Sequence, residues 1–205
     1  MLNKGGFDLW ADGYDKAVGL SDDAKTYPFA GYKDVLGMIF NGVMKRENAT
    51  VLDIGFGTGT LTTKLYEHGC KIYGQDFSPK MVQLASAKMP DAHLYQGDFT
   101  KELAAPLSSQ KYDCIVATYS LHHLSDKQKI GFLHFLQNCL KDHGKILIGD
   151  VAFENRNDLE QCRRMAGDAW DDDEKYFIID ELRTAYPDLV FTRVSHCAGV
   201  LTIEK

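Results

Sequence analysis

The stretch VLDIGFGTGTL, residues 51–61, decides how this chain is read. A run of strand-forming apolar residues, interrupted by Asp53, passes directly into Gly55, Phe56, Gly57 and Gly59, with the glycines at alternate positions. Glycine lets a backbone turn sharply and lets another group come close to it. A strand that ends in such a loop, followed by a helical pattern, has the form of the first βα turn of a doubly wound sheet. In such sheets the ligand crevice lies at the carboxyl ends of the strands.

The neighbouring sequence repeats the alternation. ATVLDI (49–54), KIYGQD (71–76), AHLYQGD (92–98), YDCIVAT (112–118) and KILIGDV (145–151) read as short buried strands, rich in β-branched or aromatic residues and bounded by turn residues. Between them lie helical patterns. Ser78 followed by Pro79 is a cap and a first-turn proline, and Met81, Val82, Ala85 and Met89 then recur at helical spacing until Pro90. A second helix is expected over Asp126–Lys141, with Ile130, Leu133, Leu136 and Leu140 on its apolar side and Gly144 just beyond it. Strands that alternate with helices imply a mostly parallel sheet covered on both faces.

At the end of the chain, LVFTRVSH (189–196) and GVLTIEK (199–205) are separated by only Cys197 and Ala198. So short a link cannot make a parallel crossover, which predicts an antiparallel C-terminal hairpin and seven strands in all. Before the first strand, Phe7, Trp10, Tyr14 and Val18 recur at helical spacing. Residues 1–48 are therefore expected to form an N-terminal helical lid on a domain spanning 49–205.

Composition narrows the class. The 205 residues are 44% hydrophobic and 25% charged, with a net charge of −6, as in a water-soluble globular domain. No apolar run approaches the ~18 residues of a membrane span, and the first residues lack the apolar core of a signal peptide, so a cytoplasmic location is expected. The five cysteines form no close pair in sequence, so linear spacing supports neither a metal site nor a redox pair. Residues 154–174 hold eight acids against three arginines. No Lys/Arg cluster offers a footprint for a nucleic-acid backbone, which disfavours nucleic acid as a partner.

Two nucleotide-like ligands compete for the glycine loop. A dinucleotide fingerprint counted from Gly55 requires a small third residue where Thr60 stands, and fails there. The spacing present, D-x-G-x-G-x-G from Asp53 to Gly59, resembles the first motif of class I S-adenosylmethionine (AdoMet) dependent methyltransferases, with a Rossmann-like α/β sheet. The resemblance implies that the loop wraps the methionine part of the cofactor and that Asp53 helps organise its cationic amino group. A carboxylate suits a ligand that carries an ammonium and a sulfonium but no pyrophosphate.

The likeness continues along residues 49–153. Asp76, at the end of the second strand in GQDFSPKM, is implied to accept hydrogen bonds from the ribose hydroxyls. Phe77 and Met81 match the positions that pack on adenine, and in QGDF Asp98 matches the residue at the adenine amino group, with Phe99 beside the ring. The Trp-Ala-x-x-Tyr-Asp pattern in FDLWADGYDKAV resembles the leading helix of small bacterial members, where Tyr14 would reach the cofactor carboxylate. In ATYSLHHLSD (117–126), Thr118 would approach the cofactor, and Tyr119, His122 and His123 become candidates to face a methyl acceptor.

Methyl transfer is an in-line displacement, so the protein must chiefly position the nucleophile, exclude water and, where needed, take a proton. A histidine suits the last task. Asp150 is a candidate either to hold a polar acceptor or to serve a turn, and Tyr27, Tyr32 and the acidic segment 168–176 are candidate lid elements. That acidic segment reads either as a solvated face or as a negative rim for a cationic amine. No Asn/Asp-Pro-Pro-Tyr/Phe motif, used on amino groups of adenine or glutamine, follows the fourth strand. The expected activity is methyl transfer to an oxygen, nitrogen or sulfur of a small metabolite, with S-adenosylhomocysteine as coproduct. An RNA or protein methyltransferase and a non-catalytic AdoMet-binding module are the alternatives. Monomer and homodimer both remain open.

Overall fold

A computed structural model describes residues 25–205. The apolar run becomes β1 (Thr50–Ile54), an interior strand of the sheet, hydrogen-bonded in parallel to β2 (Lys71–Asp76) on one side and β4 (Tyr112–Thr118) on the other. β3 (His93–Gln96) extends the sheet beyond β2 and β5 (Leu140–Phe153) beyond β4, again in parallel. The tail forms the expected hairpin, β7 (Val190–Arg193) with β8 (Ala198–Glu204), and β8 inserts antiparallel beside β5. The order is therefore 3-2-1-4-5-8-7. A two-residue strand, β6 (Phe177–Ile178), pairs with the end of β5 and makes the sheet eight-stranded, one more than the sequence predicts, because two residues leave no periodicity to read.

The chain order reverses between β1 and β4. That is where a doubly wound sheet opens its crevice. Alternation along the strands divides the core in two. Val51, Ile72, Val116 and Leu147 face one cluster with α1 (Tyr32–Val43), α2 (Thr60–Glu67) and α3 (Pro79–Lys88). Leu52, Ile54, Ile115 and Ile146 face the other, with α4 (Ala105–Ser108), α5 (Asp126–Asn138) and α7 (Ile179–Leu182). Burying each such aliphatic side chain contributes roughly 1.5–3 kcal/mol.

Local signals set several boundaries. The Ser78 side chain accepts from Met81 N at 3.2 Å and Pro79 opens α3, a cap worth about 1 kcal/mol. The helix expected over Asp126–Lys141 ends earlier, at Asn138, and Leu140 belongs to β5, opposite Tyr112. Register then jumps, with Lys145 opposite Cys114, so the residues around Gly144 bulge out of the ladder. His143 has a φ of 59°, and a Cβ at Gly144 would lie 2.9 Å from Lys141 O.

The N-terminal region meets the structure only from residue 25 onward. Phe7, Trp10, Tyr14 and Val18 lie outside the described residues. Within the expected lid, α1 is built into the core: Val35, Ile39 and Val43 are fully buried against the sheet. Gly149 of β5 makes room for them, since a Cβ there would stand 2.3 Å from Val35 Cγ1.

Candidate active site

The three loop glycines all have positive φ, and their surroundings differ. A Cβ at Gly55 would lie 2.5 Å from Ser120 Cβ, so this glycine lets β1 and β4 continue into loops that touch. A Cβ at Gly59 would press on Met89, Thr63 and Ala85, where α2 and α3 meet. At Gly57 (φ 56°) a Cβ would meet nothing within 4 Å. The open side of Gly57 faces a cavity of about 280 Å³, near the lower end of the ~300–1,000 Å³ of small-molecule sites.

Gly55, Phe56, Gly57, Thr58, Thr60, Leu61, Asp76, Phe77, Met81, Asp98, Phe99 and Thr100 line the cavity along the ends of β1, β2 and β3. Tyr32, Thr118, Tyr119, Ser120, His123 and Gln128 line the remainder. No lysine or arginine is among them. Asp76 is held in place by two backbone donors, Gly57 N at 2.8 Å and Ser78 N at 2.9 Å, one to each carboxylate oxygen. Asp98 accepts from Thr100 N at 3.0 Å and pairs with Lys101 at 3.0 Å. Burial raises its pKa, and the Thr100 and Lys101 contacts outweigh burial to hold the carboxyl below its ordinary value.

Asp53 is not part of the lining. Period-2 alternation puts it on the Val51 face, under α2, where Thr62 Oγ1 donates to its Oδ2. Its Oδ1 is buried without a hydrogen-bond partner. Burial, followed by the nearby Asp76 charge and opposed by Thr62, pushes this carboxyl up to about 7.

The floor separates the two histidines. Tyr119 has a φ of 50°, an uncommon conformation for a bulky residue, and its ring lies 5.3 Å from Phe29 and 5.2 Å from Tyr32. His123 lines the cavity. Burial, assisted by repulsion from His122, pushes its pKa down to about 4. His122 is not in the lining: its Nδ1 lies 2.7 Å from Asp150 Oδ1 and its Nε2 lies 3.4 Å from Glu174 Oε1. Burial works against the imidazolium, yet Asp150 and Glu174 outweigh it and raise the pKa. His122, His123 and Glu174 form a close cluster that this charge pairing explains. Asp150 thus occupies neither a turn nor the crevice wall, because β5 runs on to Phe153 and leaves it fully buried within the strand.

Two acids of the segment 168–176 are paired with basic groups. Arg163 holds Asp172 at 2.7 Å, and Glu174 faces His122. Lys175 N donates to His122 O at 2.8 Å, and the buried Lys129 ammonium donates to Lys175 O. Tyr27 stacks on Trp170 at 5.0 Å and hydrogen-bonds Tyr176. The segment therefore wraps over the histidine turn.

Residues 51–144 match the family of methyltransferase domains. An uncharacterized methyltransferase of Alkaliphilus oremlandii (strain OhILAs) is 31% identical over 184 residues, which cover 90% of this chain and 82% of that protein. An uncharacterized methyltransferase of Geobacillus sp. (strain WCH70) is 36% identical over 194 residues, 91% and 88% of the two chains. The chain belongs to the class I AdoMet-dependent methyltransferases. Its fold is shared with magnesium protoporphyrin IX methyltransferase from Synechocystis PCC 6803, solved with bound S-adenosylhomocysteine, at a TM-score of 0.68, 18% identity and 86% and 84% coverage of the two chains.

The residues of this methyltransferase suit AdoMet. The open side of Gly57 leaves space along the loop, and Phe77, Met81 and Phe99 are apolar walls beside the carboxylates of Asp76 and Asp98. A pyrophosphate would find no countercharge among the described lining residues. Of the sequence candidates, Gly55, Phe56, Gly57, Asp76, Phe77, Met81, Asp98, Phe99, Thr118, Tyr119 and His123 line the methyltransferase cavity. Asp53, Gly59 and His122 stand behind it, and Tyr14 lies outside the described residues.

Sequence reasoning missed Thr58, Thr60, Leu61, Thr100, Ser120 and Gln128. Gln128 had a signal of a different kind: Ser125-x-x-Gln128 is a capping box at the start of α5, which brings this side chain to the crevice end of the helix.

Proposed function

We propose that this methyltransferase acts on an oxygen, nitrogen or sulfur atom of a small metabolite. The observation that carries the reading is the cavity itself: about 280 Å³, with the glycine loop and two carboxylates at one end and Tyr32, Tyr119 and His123 at the other. AdoMet, when bound, supplies a methyl carbon activated by a sulfonium. In this reading Asp76 holds the ribose hydroxyls and Asp98 the adenine amino group. Phe77, Met81 and Phe99 flank the adenine ring, while Gly55, Phe56, Gly57, Gly59 and Thr118 line the methionine side. Asp53 and Tyr14 serve the amino and carboxylate groups of that side. Tyr32, at the start of α1, walls the acceptor end of the cavity.

His123 is the residue assigned to the acceptor. With a pKa of about 4 it is neutral at pH 7, and protonating it there costs about 4 kcal/mol. It therefore serves as a hydrogen-bond partner that orients the acceptor and not as a strong base. That favours an acceptor whose lone pair is already available at pH 7, a thiolate or a weakly basic amine, over an alcohol. His122, held by Asp150, positions the turn on which His123 stands.

The test adds the protein and methyl-labelled AdoMet to a cell extract and separates the label by molecular size. Label in small molecules supports the proposal and provides a compound to identify. Label only in protein or RNA overturns it in favour of a macromolecular substrate, and binding without transfer overturns it in favour of a sensor.

A further inference from the structure

Away from the cavity, α6 (Arg156–Ala166) and the β7–β8 turn bring Cys162, His196 and Cys197 together. One ligating atom of each, two sulfurs and a ring nitrogen, lies within 4.8 Å of both others. Linear spacing hides this cluster, because Cys162 and Cys197 are far apart in the chain. Both cysteines are buried, whereas His196 is exposed.

The turn that carries two of the three groups is well ordered by its own hydrogen bonds. Val194 N and Ser195 N both donate to Ala198 O, at 2.9 and 3.0 Å. Ser195 Oγ accepts from Cys197 N at 3.2 Å and from Ala198 N at 3.0 Å. The Cys197 sulfur also lies 3.7 Å from Ser195 Oγ and 3.8 Å from Pro28 O.

We propose that Cys162, Cys197 and His196 form a binding site for a zinc-class d¹⁰ metal ion, with the fourth coordination position open to solvent. Two thiolates and an imidazole are the ligand set that selects such ions, and with no carboxylate in the cluster the set does not suit magnesium or calcium. Tetrahedral bonds of about 2.3 Å to sulfur and 2.0–2.1 Å to nitrogen put ligand atoms roughly 3.5–3.8 Å apart. Starting from separations within 4.8 Å, closure needs only a small inward movement. Binding releases the two thiol protons to solvent and leaves a neutral M²⁺–(S⁻)₂ unit, which a buried position tolerates.

Such an ion braces the active site from outside. It ties α6 to the β7–β8 turn, and a Cβ at Gly31 would lie 3.0 Å from Val194 Cγ1 and 3.3 Å from Ser195 Cβ. Gly31 directly precedes Tyr32, which lines the cavity.

Cobalt(II) tests this on the full, tag-free, reduced chain. One equivalent should produce a thiolate-to-cobalt charge-transfer band in the near ultraviolet with the visible bands of four-coordinate cobalt, and zinc should displace it. Cys162→Ser and Cys197→Ser should each lose the charge-transfer band. The exposed His196→Ala should keep the fold and bind at least about tenfold more weakly, and zinc should raise the melting temperature of the parent more than that of this variant. The histidine cluster near the cavity cannot mimic this result, since it has no thiolate. Absence of the band at excess cobalt overturns the proposal, as does a band that survives both cysteine substitutions. So does a mass two hydrogens lower, with no cobalt bound by the reduced form, which would make the two cysteines a redox pair.

Discussion

The backbone N–H of Gly57 donates to Oδ2 of Asp76 across 2.8 Å, tying the middle of the glycine loop to the carboxyl end of β2. The other oxygen takes Ser78 N, so the start of α3 is tied to the same carboxylate. One side chain thereby sets the loop, the helix and the wall of the cavity at once.

Asp76→Ala removes both anchors and, in the proposed binding mode, the ribose acceptor. AdoMet binding should weaken by about 1–3 kcal/mol, the cost of leaving ligand hydroxyls without a charged partner. Isothermal titration calorimetry reads this directly. An unchanged dissociation constant would mean that the ribose lies elsewhere.

Two glycine substitutions should behave differently. Gly57→Val meets open space in the fold, so its cost is the strain of positive φ, about 1–2 kcal/mol, while its side chain enters the cavity and blocks AdoMet. Gly55→Ala instead drives a methyl to within 2.5 Å of Ser120 Cβ and should lower stability by more than strain alone, with partial recovery in Gly55→Ala/Ser120→Gly. Urea denaturation and ligand titration on the same samples separate the two losses. Equal stability losses would refute the assignment of distinct jobs.

The histidine pair gives a pH signature of opposite signs. His122 has a raised pKa, so its contribution to stability is complete below about 6.5 and is lost as pH rises through its folded value. For His123, depressed to about 4, the unfolded chain takes up a proton before the folded one does, so stability falls as pH drops from about 6.5 toward 4. In a ¹H–¹³C titration, the His122 ring should still be protonated at pH values where a free imidazole is neutral, and His123 should stay neutral down to nearly pH 4. His123→Ala should lose turnover and keep AdoMet affinity. Coincident titration of both rings would remove the distinction.

Asp53, pushed up to about 7, should be largely protonated at pH 6 without ligand. A cationic amino group bound beside it lowers that pKa, so AdoMet binding at pH 6 should release close to one proton. Binding enthalpies measured in buffers of different ionisation heat should then differ accordingly, and Asp53→Asn should abolish the difference. Equal heats in the parent protein would detach Asp53 from the ligand.

Much of the architecture was legible because it is local. Strand-forming residues before three glycines, the Ser78-Pro79 cap and the two-residue gap in the tail each act through neighbours in the chain, and the elements formed where those signals stood. Misreadings arose where a distant partner decided. Leu140 fits a helical period, yet pairing with Tyr112 takes it into β5, and Asp150 reads as a strand end although β5 continues to Phe153.

The sequence by itself determined the sheet, the glycine loop and the family, since periodicity and turn chemistry are written in consecutive residues. Only the tertiary structure decided which histidine faces the cavity and which is held between Asp150 and Glu174, and that Cys162 meets Cys197. Those outcomes depend on where separate strands and turns end relative to one another. A one-residue change in direction exchanges the faces that adjacent side chains present, and adjacent letters such as His122 and His123 carry no record of which face each will occupy.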